Sequence, residues 1–152
     1  MGNIFNEDFK DFIKALNSNK VEYVLVGGYS VILHGYARTT GDMDIWVNRT
    51  LENYQKLLSA FSEFKMPVFD MTQKNFLDHN EWDVFSFGRK PNRIDIMVQV
   101  KGLEFKKAFS KSKIYTIEKV KIRTVRLQDL IQAKKASGRF KDLDDIEQLT
   151  QE

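Results

Sequence analysis

The chain has 152 residues, of which 42% are apolar and 30% charged, as expected for one compact domain spanning residues 1–152. It contains no cysteine and only two histidines, His34 and His79, which excludes disulfides and argues against a multi-histidine zinc site. No run approaches the roughly 20 apolar residues of a membrane helix. Residues 1–20 are acidic and amphipathic, unlike a signal peptide. We therefore expect a cytoplasmic protein that does not act at a membrane.

The net charge of +3 is unevenly distributed along the chain. Residues 101–141 contain thirteen Lys and Arg and three acidic residues, whereas the rest of the chain contains eleven basic and eighteen acidic residues. Two interpretations are open. The segment is either an ordinary solvated surface or a face that meets a polyanion, such as a triphosphate or RNA.

Hydrophobic periodicity predicts alternating strands and helices early in the chain and two helices at its end. Asn6 is a favourable N-cap for the first helix. Residues 67–79 give no clear prediction. The predicted helices are 7–17, 29–35, 51–64, 104–109, 127–137 and 141–149, and the predicted strands are 21–26, 42–47, 82–87, 94–100, 114–117 and 120–124, the last two as a hairpin. This order predicts an α/β (α+β) domain, a mixed sheet flanked by helices.

Gly27 and Gly28 separate a buried strand from a helix. Two glycines there permit a positive φ angle and let a ligand approach the backbone closely. The helix that follows would present free N–H groups, which suit a phosphate, and Ser30 would add a hydroxyl donor. A tight turn without a ligand is the alternative interpretation. The spacing matches neither the Rossmann fingerprint nor the Walker loop.

Asp42 and Asp44 begin an apolar strand, a position that disfavours aspartate. Because side chains alternate along a strand, both carboxylates lie on the same face, with Cα atoms about 6.6 Å apart. They are either surface charges or a pair that binds divalent cations. Oxygen ligands of this kind suit Mg²⁺ or Mn²⁺.

Asp95 interrupts a second apolar strand, between Ile94 and Ile96. A carboxylate buried there without a partner would be costly. It is either a carboxylate at a strand edge or helix cap, or a third metal ligand beside Asp42 and Asp44.

These residues together resemble a known family. Residues 24–47 run VLVGGYSVILHGYARTTGDMDIWV, which resembles the nucleotidyltransferase superfamily, the fold shared with DNA polymerase beta. Its pattern is a strand, a glycine turn, a helix, an Asp-x-Asp strand and a third carboxylate on a later strand. Residues 130–146, LIQAKKASGRFKDLDDI, resemble the end of small bacterial members, including abortive-infection and toxin–antitoxin types. The chain lacks the Ala-Arg-Gly run usual in antitoxin-type members, and Gly28 replaces the hydroxyl residue that often follows the first glycine.

The resemblance implies transfer of a nucleoside monophosphate from an NTP to an acceptor hydroxyl, with release of pyrophosphate. Asp42, Asp44 and Asp95 would then be the catalytic and metal-binding residues, holding Mg²⁺ or Mn²⁺. Gly27, Gly28 and Ser30 would cradle the phosphates.

Three further residues are candidates for nucleotide binding. Arg38 is either a surface arginine or a triphosphate ligand, and Thr40 would donate its hydroxyl nearby. Lys134 lies on a predicted core-facing stripe with Leu127, Leu130 and Ile131, so it either snorkels or meets an anion. Asp142 is a candidate anchor for a neighbouring lysine, and His34 is interpreted as a packed or capping residue.

Three hypotheses follow for function. The first is an active nucleotidyltransferase whose acceptor is a small molecule, a protein or an RNA end. The second is a catalytically silent nucleotide-binding module of a two-protein system, and the third is an RNA-binding module. The intact set of three aspartates favours the first. Because the chain is short, the acceptor pocket must come from its last helices, a dimer mate or a partner protein.

Overall fold

The structure, a computed structural model, describes residues 6–36, 40–78, 81–89 and 93–150. None of the helices in these ranges is long and apolar enough to cross a membrane. The helices are α1 (Glu7–Ser18), α2 (Gly27–Leu33), α3 (Leu51–Phe64), α4 (Gln73–Leu77), α5 (Phe105–Ser110), α6 (Leu127–Ser137) and α7 (Phe140–Thr150). The strands are β1 (Tyr23–Val26), β2 (Asp42–Val47), β3 (Val84–Phe87), β4 (Arg93–Met97), β5 (Lys113–Ile117) and β6 (Val120–Thr124).

The six strands form one mixed sheet in the order β3-β4-β2-β1-β6-β5. In its centre, β1 is antiparallel to β2 and parallel to β6, and β2 is parallel to β4. The outer pairs, β3 with β4 and β5 with β6, are antiparallel. The predicted mixed sheet with flanking and C-terminal helices is therefore confirmed.

Each face of the sheet has its own hydrophobic core. The larger core joins α1 and α3 to the face that carries Met43 and Ile45. The smaller core joins α5 and α6 to the opposite face, where Trp46 packs edge-on against Phe105 with ring centroids 5.1 Å apart. Asp42 and Asp44 alternate with Met43 and Ile45, so they belong to the face that α6 covers.

The structure corrects the start of one helix and defines a segment for which no clear prediction came from the sequence. Helix α2 begins at Gly27, two residues earlier than predicted, because Gly27 itself has a φ of 68° and turns the chain directly from β1 into the helix. The unclear segment after α3 contains the short helix α4, in which the Thr72 side chain accepts a hydrogen bond from the Asn75 N–H and Phe76 packs against Tyr54. Five residues are too few to show a helical period.

Candidate active site

The sheet order brings the three predicted aspartates together. Strands β2 and β4 are parallel neighbours, and in their register Asp44 lies opposite Asp95 and Asp42 lies opposite Arg93. Neighbouring strands are separated by about 4.8 Å, so side chains at paired positions on one face are in contact range. Two carboxylates that are 51 residues apart in sequence thus lie side by side.

An arginine that the sequence analysis missed bridges this cluster. The Nη2 atom of Arg93 donates hydrogen bonds to Asp42 Oδ2 at 2.7 Å and to Asp95 Oδ2 at 3.3 Å. Arg93 precedes Asp95 by two residues on β4, so both side chains lie on the same face. That alternation was visible in the sequence, but the contact with Asp42 depends on the pairing of β2 with β4.

The aspartate cluster is crowded with negative charge. Burial, and then the negative charges of Asp95 and Asp42 and a hydrogen bond with the Asp95 carboxyl, raise the pKa of Asp44 from 3.8 to about 7. The positive charge of Lys141, at the start of α7, opposes this rise in pKa only weakly. Asp44 therefore exchanges its proton near neutral pH, a property common at functional sites.

The glycine turn lies directly against the aspartates. A Cβ atom at Gly27 would collide with the Asp44 carboxylate, and one at Gly28 would lie 2.5 Å from Thr40 Oγ1. The Thr40 hydroxyl also donates a long hydrogen bond of 3.4 Å to the Asp42 carbonyl oxygen. The protein's own packing thus requires glycine at both positions of the turn. The close contacts place Gly27, Gly28, Thr40 and Asp44 in one site.

Ser30 does not join this site. Its side chain is fully buried, and its hydroxyl lies 2.5 Å from Thr124 Oγ1. Because the Thr124 hydroxyl donates to the Leu25 carbonyl oxygen at 3.0 Å, Ser30 is the donor of the shared bond. The one hydroxyl proton of Ser30 is thus engaged in the core, and its contact with a phosphate stays a prediction.

Lys134 lies on the predicted core-facing stripe, but its partners are carboxylates of α7. Its Nζ atom is 2.9 Å from Asp145 Oδ2 and 3.3 Å from Asp142 Oδ1, and all three side chains are at most 6% exposed. Arg139 also pairs with Asp142, at 2.7 Å. The anchoring role predicted for Asp142 is confirmed. The ammonium group of Lys134 meets anions within the fold, as one of the two interpretations expected, and its contact with a phosphate stays a prediction.

A cavity of about 320 Å³ connects these parts. Gly27 and Asp44 line it together with three basic residues, Lys101, Lys134 and Arg139. Ser137 and Asp142 add further polar groups. The apolar part of the wall comes from the sheet, from the residues that follow its strands and from α6: Val26, Met97, Val100, Val125, Leu130 and Ala133. Pockets of this size and mixed lining are typical of small-molecule sites.

The other two predictions near the site have different outcomes. Arg38 lies outside the described residues, as does His79. His34 is the C-cap residue of α2, and its Nε2 atom hydrogen-bonds with the Val125 carbonyl oxygen at 2.8 Å. The prediction of a capping or packed histidine is confirmed.

The donor set is suited to a divalent cation, although the side chains are not arranged around one. Among the described residues, no three carboxylate or imidazole groups are positioned to share a metal ion. Asp42 Oδ1 and Asp95 Oδ1 are nevertheless buried without any hydrogen-bond partner in that part of the chain. Buried oxygens of this kind are rarely left unpaired. A cation that accepts oxygen ligands would satisfy both.

Two solved structures have similar folds. A proposed nucleotidyltransferase from Thermotoga maritima has a TM-score of 0.57 at 17% identity, covering 91% of this chain and 88% of that one. The lincomycin-bound lincosamide antibiotic adenylyltransferase LnuA has a TM-score of 0.60 at 18% identity, covering 97% and 98%. No curated protein sequence matches the chain.

The family assignment rests on a sequence profile. The profile described as "Nucleotidyltransferase of unknown function (DUF6036)" matches residues 6–150, nearly the whole chain. This match agrees with the sheet order, the glycine turn and the aspartate pair. The chain belongs to this nucleotidyltransferase family.

Proposed function

We propose that this protein is an active, metal-dependent nucleotidyltransferase that moves a nucleoside monophosphate from an NTP to an acceptor hydroxyl and releases pyrophosphate. The observation that carries the proposal is the meeting of Asp42, Asp44 and Asp95 on one face of the sheet, directly beside Gly27. Asp42, Asp44 and Asp95 would hold Mg²⁺ or Mn²⁺, which when bound offsets the charge on the attacking and leaving oxygens.

The chain's own groups would position the triphosphate. The backbone at Gly27 and Gly28 would lie along the phosphates, with the Thr40 hydroxyl as a nearby donor. Helix α2 has only seven residues, so its dipole would add little. Lys101 lines the cavity, is exposed, and forms no ion pair within the described ranges. It therefore replaces Lys134 as the candidate phosphate cation.

Asp95 would orient the acceptor hydroxyl and take up its proton. A buried carboxylate that lies opposite Asp44 on the neighbouring strand is suited to this step. The apolar wall of the cavity would hold the nucleoside or the body of the acceptor. Rate enhancement would come from positioning and charge stabilisation, as in other phosphoryl transfers.

A small-molecule hydroxyl is the acceptor that we favour. LnuA, whose chain is nearly coextensive with this one, is described as an adenylyltransferase of a lincosamide antibiotic. The basic segment gives less support to RNA, because Arg126, Lys134 and Arg139 are each paired with a nearby carboxylate.

Transfer of label from an NTP tests the proposal. The protein is incubated with each α-labelled NTP, with Mg²⁺ or Mn²⁺, and with separated small-molecule, protein and RNA fractions of a cell extract. We expect label in one fraction, its loss in Asp44→Asn, and its retention in Asp70→Asn, which changes an exposed aspartate before α4. NTP binding without transfer to any fraction would favour the silent module of a two-protein system and contradict the proposal.

A further inference from the structure

We propose that Arg93 is a built-in counter-ion of the aspartate cluster, which stabilises the fold without metal and lowers the affinity of the site for divalent cations. This inference rests on the metal site in the proposed function. It assigns Arg93 a positioning and tuning role, since the side chain contacts the candidate metal ligands and not the reacting groups.

The geometry distinguishes Arg93 from an ordinary surface ion pair. A single nitrogen, Nη2, contacts carboxylates on two neighbouring strands, 2.7 Å from Asp42 and 3.3 Å from Asp95. The partner side chains are only 21% and 11% exposed, whereas Arg93 is 36% exposed. The guanidinium group is thus the more exposed partner, and it contacts two carboxylates that are candidate metal ligands.

Only half of each carboxylate is engaged by the arginine. Arg93 contacts the Oδ2 atom of both residues, while the Oδ1 atom of each is buried without a hydrogen-bond partner among the described residues. The arginine therefore offsets the charge of the cluster without satisfying all of its oxygens. The Oδ1 atoms of Asp42 and Asp95 could therefore still coordinate a cation next to the positively charged Arg93.

The positive charge of Arg93 should weaken the binding of a divalent cation. Because the guanidinium contacts both candidate ligands, its charge would repel a dication that they held, and such repulsion is strong in a partly buried site. Arg93 could also favour metal binding by holding the two aspartates in place. Because short aspartate side chains lose little rotamer freedom on ordering, this effect is smaller than the charge repulsion. Removing the charge should strengthen metal binding, although the arginine touches the ligands.

Mn²⁺ binding tests the proposal without any turnover. It is measured from the decrease in the electron paramagnetic resonance signal of the free ion. Arg93→Met removes the charge, and Arg93→Gln removes it while keeping a hydrogen-bond donor. We expect both variants to bind Mn²⁺ about fivefold or more tightly than the wild type. Arg93→Lys, which keeps the charge, should bind like the wild type.

Arg126→Met is the matched control, because Arg126 is 31% exposed and forms a 3.2 Å ion pair with Asp129 outside the cluster. It should leave Mn²⁺ affinity unchanged. Equal or weaker Mn²⁺ binding by both neutral Arg93 variants would overturn the proposal. Failure of the wild type to bind Mn²⁺ at all would overturn it together with the metal site, whereas failed label transfer with normal Mn²⁺ binding would count only against the enzymatic function.

Thermal unfolding supplies a second measurement. In EDTA, Arg93→Met and Arg93→Gln should melt several degrees below the wild type, because the buried Asp95 and the partly buried Asp42 then lack this counter-ion. Saturating Mn²⁺ should raise their Tm by more than it raises that of the wild type. A variant that folds only with Mn²⁺ would support the same conclusion, whereas equal Mn²⁺-induced shifts in all proteins would contradict it.

Discussion

Asp44 and Asp95 are register partners on the adjacent parallel strands β2 and β4, and their carboxyl groups interact directly. Parallel pairing brings together two acids that no local sequence pattern connects. The same pairing places Asp42 opposite Arg93. One strand pair therefore supplies both the negative charge of the site and the cation that offsets it.

The raised pKa of Asp44 predicts a pH-dependent stability. Burial, followed by the charge of Asp95, raises this pKa to about 7 in the folded protein. The folded state binds the proton more tightly than the unfolded state, so the stability from this group is fully present below about pH 4 and is lost as pH rises through about 7. Asp44→Asn cannot ionise and should escape this loss.

Urea unfolding in EDTA from pH 5 to pH 8 measures the effect. The free energy of unfolding of Asp44→Asn relative to the wild type should increase by about 1–3 kcal/mol across this range. If the difference in free energy of unfolding between Asp44→Asn and the wild type does not change with pH, the pKa of Asp44 is not raised.

Gly27 is predicted to tolerate no side chain. Both Gly27 and Gly138 have a φ of 68°, but a Cβ at Gly27 would collide with the Asp44 carboxylate, whereas one at Gly138 would meet only the Lys135 carbonyl oxygen at 3.8 Å. Gly138→Ala should therefore cost about 1–2 kcal/mol from backbone strain alone. Gly27→Ala should cost more and should also weaken Mn²⁺ binding by moving Asp44. If the two variants lose the same stability and both bind Mn²⁺ normally, Gly27 does not pack closely against Asp44.

Lys134 is predicted to act in stability. Lys134→Met would leave Asp142 and Asp145 buried with fewer positive partners, which typically costs about 3–5 kcal/mol. Lys135→Met, at the exposed neighbouring position, should cost little. Urea unfolding midpoints and NTP titrations of both variants separate the two roles. Normal stability of Lys134→Met with lost NTP affinity would restore the phosphate role.

Ser30 is likewise predicted to support the core. Ser30→Ala removes the hydrogen bond to Thr124 and should reduce the free energy of unfolding by about 1 kcal/mol. NTP affinity, measured by isothermal titration calorimetry, should not change. Weakened NTP binding at unchanged stability would show that the hydroxyl contacts the ligand after all.

Strong periodic patterns made most of the fold predictable from the sequence. Strand β2 and helix α6 have the predicted bounds, 42–47 and 127–137, because each has a clear period and a clear end. Short elements were less predictable. Helix α4 is held by the Thr72 cap and by the contact of Phe76 with Tyr54, and the second of these is a tertiary contact.

Side-chain type and strand alternation predicted which residues lie at the candidate site better than they predicted which groups those residues contact. Asp42 and Asp44 are on one face, as expected from the period of two, whereas Asp95 joins them through the pairing of β2 with β4. The burial of Lys134 was also predicted, but the sequence could not decide between a ligand and the carboxylates of α7 as its partner. Arg93 was missed because its role depends on the lateral order of strands, which is a property of the whole sheet.

A crystal structure with Mn²⁺ and a non-hydrolysable NTP analogue tests the central claim most directly. The account predicts anomalous Mn²⁺ density in contact with Asp42, Asp44 and Asp95, and phosphates along Gly27 and Gly28. Mn²⁺ and nucleotide bound elsewhere, with Arg93 still bridging Asp42 and Asp95, would contradict it.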